Sequence, residues 1–335
     1  MSKVDNSNYR ENPIAQKSAV CYDSEMTMTD FNSKILCIGN VSVDIKAYSP
    51  ESDGTEAYRE GSIELVPGGV ARGMAINLKH LGFKSSVLSM VGHDIFGDYL
   101  RGGLNAEGVD TRLLRTSEKR ETSLFSVMAT AGKSAACVYS TAILSEIVVD
   151  DEVRDFIRDE KIRTLVLDSN LTEETYAEIY ALKKNESDLF IFQNATAPDI
   201  ARKTMKYAPL IDLFACNEFE AAAILGEEAV PDVQTADKFQ ALGFSNFIIT
   251  FGERGVMVRI GKDTWNSKPY TPPHIVDTIG AGDAFASGFL LGFLEGESVK
   301  RCIHYGLASA KETLLTKQTV SSVLSRDFLE QYQSK

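Results

Sequence analysis

The stretch Asp277-Thr278-Ile279-Gly280-Ala281-Gly282-Asp283 runs straight into Ala284-Phe285-Ala286-Ser287-Gly288-Phe289-Leu290-Leu291-Gly292-Phe293-Leu294, an apolar segment of helical length. Glycines at 280 and 282 allow a tight backbone turn, so that consecutive N–H groups face one point at the positive end of the following helix. Such a turn is an anion site. A carboxylate at its mouth, Asp283, is costly beside bound phosphate unless it handles a proton or a metal, which makes it a candidate general base. On the turn alone a plainer reading stays open, in which Asp283 caps the helix and the glycines serve close packing. The Phe-rich segment behind the turn reads as core.

Upstream, the pattern is one of short apolar runs separated by helical stretches. Ile35-Leu36-Cys37-Ile38 opens the series and ends at Gly39-Asn40; similar runs lie at 86–91, 164–167, 189–192, 213–215 and 247–250. Between them, 70–81, 172–184 and 218–225 carry helical periodicity. Strands alternating with helices predict an α/β body whose parallel sheet is covered on both faces. Two regions depart from the alternation, about 43–66 and about 120–143. In the second, 122–130 and 135–141 flank a bend at Ala131-Gly132-Lys133. Both regions read as a small β lid set into the body. Residues 1–33 lack hydrophobic periodicity and read as a flexible extension, 34–330 as the folded body and 331–335 as a C-terminal tail.

Composition excludes several functions. The 335-residue chain has 47 acidic and 35 basic residues, a formal net charge of −12, which disfavours nucleic acid or an anionic membrane as partner. No run approaches the length of a membrane span and the N-terminus lacks a signal-peptide core, so a cytoplasmic protein is expected. Cys21, Cys37, Cys137, Cys216 and Cys302 are scattered, and His80, His93, His274 and His304 have no metal-ligand spacing, so neither a disulfide framework nor a zinc site is expected. The first strand leads into Gly39-Asn40-Val41-Ser42 and not into G-x-G-x-x-G, which argues against a dinucleotide site; G-x-x-x-x-G-K-[ST] is absent as well.

Five elements in order carry a resemblance. Pro67-Gly68-Gly69-Val70-Ala71-Arg72-Gly73, Val91-Gly92-His93-Asp94-Ile95-Phe96-Gly97, Asn217-Glu218-Phe219-Glu220, Thr250-Phe251-Gly252-Glu253-Arg254-Gly255 and the turn at 277–283 resemble the signatures of the PfkB, or ribokinase-like, family of carbohydrate and nucleoside kinases. The resemblance implies the ribokinase-like fold, a parallel-sheet sandwich with a small β-sheet lid, and transfer of phosphate from ATP, with Mg²⁺, to a hydroxyl. It implies that Asp283 deprotonates the acceptor while the N–H groups of Ala281, Gly282 and Asp283, presented by the turn that Gly280 opens, hold the developing charge. Asn217 and Glu220 would orient Mg²⁺ through water, and Thr250, Gly252 and Gly255, with Asn217 and Gly282, would receive the nucleotide. Asp277 and the backbone of Ile279 would contribute to a monovalent-cation site, implying K⁺.

On the acceptor side, Asp44 matches the family's sugar-binding aspartate, and a carboxylate that accepts two hydroxyl protons suits a vicinal diol. Together with Gly68, Gly69, Arg72 and Thr122, it looks most like the pseudouridine kinases, pointing to a 5′-hydroxyl as the phosphorylated group. In that pattern Arg72 is followed by asparagine, whereas this chain has Gly73, and the lid strand carries Phe125 in place of tyrosine. The alternative is a catalytically idle relative that binds a nucleotide or metabolite as a regulator, to which the substitution at Gly73 and the N-terminal extension would be suited. Lid strands with open edges further suggest a homodimer.

Overall fold

The structure, a computed structural model, describes residues 34–49, 60–130, 133–186 and 188–333. The expected extension (1–33), part of the first lid region (50–59), the bend residues 131–132 and the end of the expected tail (334–335) lie outside the described residues. In chain order the strands are β1 (Lys34–Ile38), β2 (Ser42–Ser49), β3 (Ser62–Gly68), β4 (Lys84–Gly92), β5 (Leu114–Ser117), β6 (Ser123–Thr130), β7 (Lys133–Ser140), β8 (Thr164–Asp168), β9 (Phe190–Asn194), β10 (Leu213–Asn217), β11 (Asn246–Thr250), β12 (Val256–Ile260) and β13 (Asp263–Ser267). The helices are α1 (Val70–His80), α2 (Ile95–Ala106), α3 (Asp151–Asp159), α4 (Glu173–Asn185), α5 (Glu218–Leu225), α6 (Val233–Ala241), α7 (Ala281–Leu294), α8 (Val299–Thr313) and α9 (Arg326–Gln331).

Nine strands form the main sheet in the order β13-β12-β11-β10-β9-β8-β1-β4-β5, parallel throughout from β11 to β5 and antiparallel only across β11-β12-β13. Its strands are buried on both faces, which is why they read as continuous apolar runs. Alternate residues divide between two cores. Ile35 and Cys37 of β1 and Val166 of β8 join the residues of α1, α2, α7 and α8, whereas Leu36, Ile38, Leu165 and Leu167 join those of α3, α4, α5 and α6. The expected α/β sandwich is therefore observed.

A second sheet, in the order β3-β2-β6-β7, stands apart from the first. Its central pair β2–β6 is parallel, with Asp44 opposite Phe125 and Lys46 opposite Val127; the outer pairs are antiparallel. Its strands come from the two regions that broke the strand–helix alternation. At the other end of the chain, Tyr332 stacks on Tyr270 with ring centroids 5.7 Å apart. His304 Nε2 meets the Tyr332 carbonyl at 3.1 Å, and its Nδ1 lies 2.6 Å from the Tyr270 hydroxyl. The packed chain thus reaches into the stretch expected as a tail.

Candidate active site

The parallel strands place polar residues at their carboxyl ends, where an open α/β sheet binds ligands. Asp168 ends β8, Asn194 ends β9 and Asn217 ends β10, with Asp168 beside Asn194 and Asn217 beside Thr250 in register. The turn at 277–283 meets this row. Gly280 is the N-cap of α7 at φ 89°, and a Cβ on it would lie 2.2 Å from the Thr319 carbonyl oxygen, so both backbone conformation and space demand glycine. The N–H of Ala281 turns back to the Thr278 carbonyl at 3.3 Å. Those of Gly282 and Asp283 have no backbone partner among the described residues, which narrows the expected anion hole to these two donors and leaves them for an anion.

Asp283 sits in the first turn of α7, half-buried, where its Oδ1 accepts a 2.9 Å hydrogen bond from Asn194 Nδ2. Burial first, then the charge of Asp168, raise its pKa from the ordinary carboxylate value to about 7; Asn194 pulls the other way, and Glu220 and Asp44 add to the rise. A carboxylate that takes up a proton near neutrality suits a general base. A Cβ at Gly73 would lie 3.1 Å from Asp283 Oδ2. Gly73, where the resembled pattern has asparagine, therefore lies directly against the Asp283 carboxylate.

Asp44 is buried on β2, and burial raises its pKa to about 6 against the opposing charge of Lys46. Gly68 lies on its flank, where a Cβ would come within 2.1 Å of Asp44 Oδ1, and Gly69 leads into α1. Arg72 is buried and braced. Its Nη1 donates to the Pro67 carbonyl at 3.0 Å and to Thr319 Oγ1 at 3.3 Å, whereas its Nε has no partner among the described residues. Thr319 thus touches both Arg72 and, through its carbonyl, the approach to Gly280. Thr122 is engaged within the protein. Its hydroxyl donates to Asp94 Oδ1 at 2.7 Å and accepts from the Gly92 N–H at 2.9 Å, so it fastens β6 to the loop after β4.

Asn217 and Glu220 form a reciprocal capping box on α5. Asn217 Oδ1 accepts from the N–H groups of Phe219 and Glu220, and Glu220 Oε2 accepts from the Asn217 N–H. Glu220 is buried, which raises its pKa to about 7. Thr250 closes β11, and the turn behind it hydrogen-bonds Phe251 N–H to the Gly255 carbonyl. Gly255 has φ 98° and a Cβ there would meet the Ser267 carbonyl at 2.0 Å, whereas Gly252 has open space around it. Asp277 uses Oδ1 to accept from the Ile279 N–H at 3.0 Å and Oδ2 to hold the Lys46 ammonium at 2.5 Å.

Asn194, Asp168, Thr319 and Lys46 are absent from the residues expected from sequence. Asp168 and Asn194 each end an apolar run, the one signal that marks them. Lys46 and Thr319 carry none.

Comparison with known proteins decides the family. Residues 32–326 match the model of the pfkB family of carbohydrate kinases. The chain belongs to that family. This kinase is 26% identical over 303 residues to pseudouridine kinase of Escherichia coli, covering 87% of this chain and 93% of the relative. It is 26% identical over 277 residues to ribokinase of Haemophilus influenzae, covering 80% and 88%. Among solved structures, Arabidopsis thaliana ribokinase complexed with ribose and ATP superposes with a TM-score of 0.78 over 90% of this chain and all of that one; at 18% identity this bears on the fold alone. The chain is thus a ribokinase-fold kinase acting on a sugar or nucleoside. Among the described residues no helix is long and apolar enough to cross a membrane.

Proposed function

We propose that this kinase moves the terminal phosphoryl group of ATP to a nucleoside hydroxyl, with the 5′-hydroxyl of pseudouridine as first candidate. The observation that carries the reading is Asp283 at the mouth of a helix N-terminus with two N–H groups that have no backbone partner among the described residues, its pKa raised to about 7. Asp283 takes the proton of the acceptor hydroxyl, and the freed oxygen attacks the phosphorus in line. The N–H groups of Gly282 and Asp283 meet the negative charge that grows on the transferring group. Asp44, buried behind Gly68, receives hydroxyls of the acceptor. The orphaned Arg72 Nε and Asn40 Oδ1 support an acceptor between β1 and α1.

The nucleotide would lie along Thr250, Gly252 and Gly255. For Mg²⁺, no group of three or more His, Cys, Asp or Glu side chains that could hold a metal lies among the described residues, and Glu220 is already engaged in capping. These residues fit an ion that arrives with the triphosphate, steered by Glu220 through water; such an ion supplies charge neutralisation between the phosphates. Asp277 fits K⁺ poorly, because its carboxylate already holds the Lys46 ammonium.

The small sheet supports a homodimer. Ile63 and Leu65 of β3, Met128 of β6 and Val138 of β7 lie on one face by register, exposed at 73%, 52%, 54% and 70%. A monomer in light scattering at working concentration would contradict this.

The test of the activity is ADP release with a panel of nucleosides and free sugars. Turnover highest with pseudouridine, and reduced at least a hundredfold by Asp283→Ala, is expected; full turnover by the variant would overturn the assignment of the base.

A further inference from the structure

Lys46 is buried to 1% exposure on β2, two residues beyond Asp44 and on the same face. A buried ammonium is retained at a cost in solvation, which only a matched partner offsets. Its cross-strand neighbour Glu64 does not supply that partner, because Glu64 pairs with Lys317 at 2.6 Å. The Lys46 ammonium instead reaches 231 positions along the chain to Asp277 Oδ2, at 2.5 Å, with the Lys317 carbonyl at 3.5 Å on another side. Asp277 Oδ1 in turn fixes the N–H of Ile279, the residue before Gly280. One unbroken path of polar contacts therefore runs from the small sheet to the turn whose N–H groups face the phosphate.

We infer that Lys46 is a positioning residue whose tethered ammonium is the resident cation of the catalytic turn, ordering Asp277 and Ile279 and tying them to the strand that carries Asp44. The inference rests on the kinase reading of the turn. A cation that is part of the chain cannot dissociate, so the turn stays ordered without a dissolved monovalent ion. The acceptor carboxylate and the anion hole also share one strand as their common support.

The experiment compares wild type, Lys46→Ala and Lys46→Met in chlorides of choline, sodium, potassium and methylammonium at equal ionic strength. Wild-type turnover on its best acceptor is expected to vary by less than about twofold among the four salts. Lys46→Met is expected to lose roughly a hundredfold in kcat, the scale of a misplaced oxyanion donor, with acceptor KM little changed. Lys46→Ala, which leaves room for a small cation, is expected to recover at least about fivefold in methylammonium or potassium and not in choline, a contrast the filled Lys46→Met site should lack.

A second readout is independent of the acceptor: the melting temperature of Lys46→Ala rises selectively in methylammonium and potassium, whereas wild type responds to none. Strong potassium activation of wild type, or Lys46→Met at wild-type kcat, overturns the inference. If no acceptor in the panel is turned over, the nucleoside reading fails while the melting contrast still decides the role of Lys46. If neither variant folds, the wild-type salt comparison decides it.

Discussion

On the proposed mechanism, Asp283 concentrates the chemistry of the site in one ionisation. Its pKa of about 7 means that the free enzyme carries a protonated, inactive base below neutrality, so kcat/KM is expected to rise through about pH 7. Asn194 favours the charged form, so Asn194→Leu should move that rise to higher pH; an unmoved profile would show the hydrogen bond to be idle. The same shift acts on stability with the opposite sign. The folded state holds protons on Asp283 and Glu220 up to about 7, which the unfolded chain releases near 4. Their contribution to stability is therefore full below about pH 4 and fades as pH rises to about 7. Asp283→Asn should flatten the fall in melting temperature across that window. Gly73→Ala separates folding from chemistry. Alanine gains about 0.5–1 kcal/mol of helix stability over glycine, yet its Cβ presses on Asp283 Oδ2 at 3.1 Å, so kcat is expected to fall while the melting temperature holds or rises. Gly73 was visible in the sequence as a missing asparagine; that the gap faces the base was not, because β1, α1 and α7 must come together to show it.

At the scale of the element, α5 and the turn after β11 cooperate through neighbouring strands. The capping box makes Asn217 a helix start, and strand register sets it beside Thr250, where the nucleotide is proposed to lie. Asn217→Ala is expected to cost about 1 kcal/mol in denaturant unfolding and to raise KM for ATP with little change in acceptor KM. Unchanged stability would mean the cap is dispensable. The apolar runs of β1, β4, β8, β9, β10 and β11 were legible because both faces are buried, and the start of α5 because its capping residues are local. The edge strand β13 was not legible: its sequence Asp-Thr-Trp-Asn-Ser is half-exposed and carries no alternation that separates it from a loop. Helix α6 buries only Thr235, Ala236 and Phe239, too thin a stripe to announce a helix. Lys46 was illegible for another reason. Strand periodicity gives its face, whereas its partner lies 231 positions away along the chain and no local pattern refers to it.

Over the whole molecule, the carboxyl ends of the parallel strands, the N-terminus of α7 and the polar face of the small sheet converge on one site. The family signatures made that convergence readable in advance, since each of the five motifs falls at a strand end, a helix start or a turn. What Thr122 touches could not be read in advance, because a hydroxyl looks the same in sequence whatever it faces; here it bonds Asp94 and the Gly92 N–H. The parallel pairing of β2 with β6 has a consequence for the order in which the protein folds. Strands about eighty residues apart along the chain must find each other, with α1, β4, α2 and β5 of the main body lying between them. The small sheet also has no core of its own, since one face is open and the other lies against the site. It is expected to zip up last and to open first. Amide hydrogen exchange in β3 and β7 should accordingly run ahead of exchange in β1 and β8, and equal protection across both sheets would contradict that order. A refolding chain would then finish the half of the site proposed for the nucleotide before it has anywhere to seat the molecule proposed to be phosphorylated.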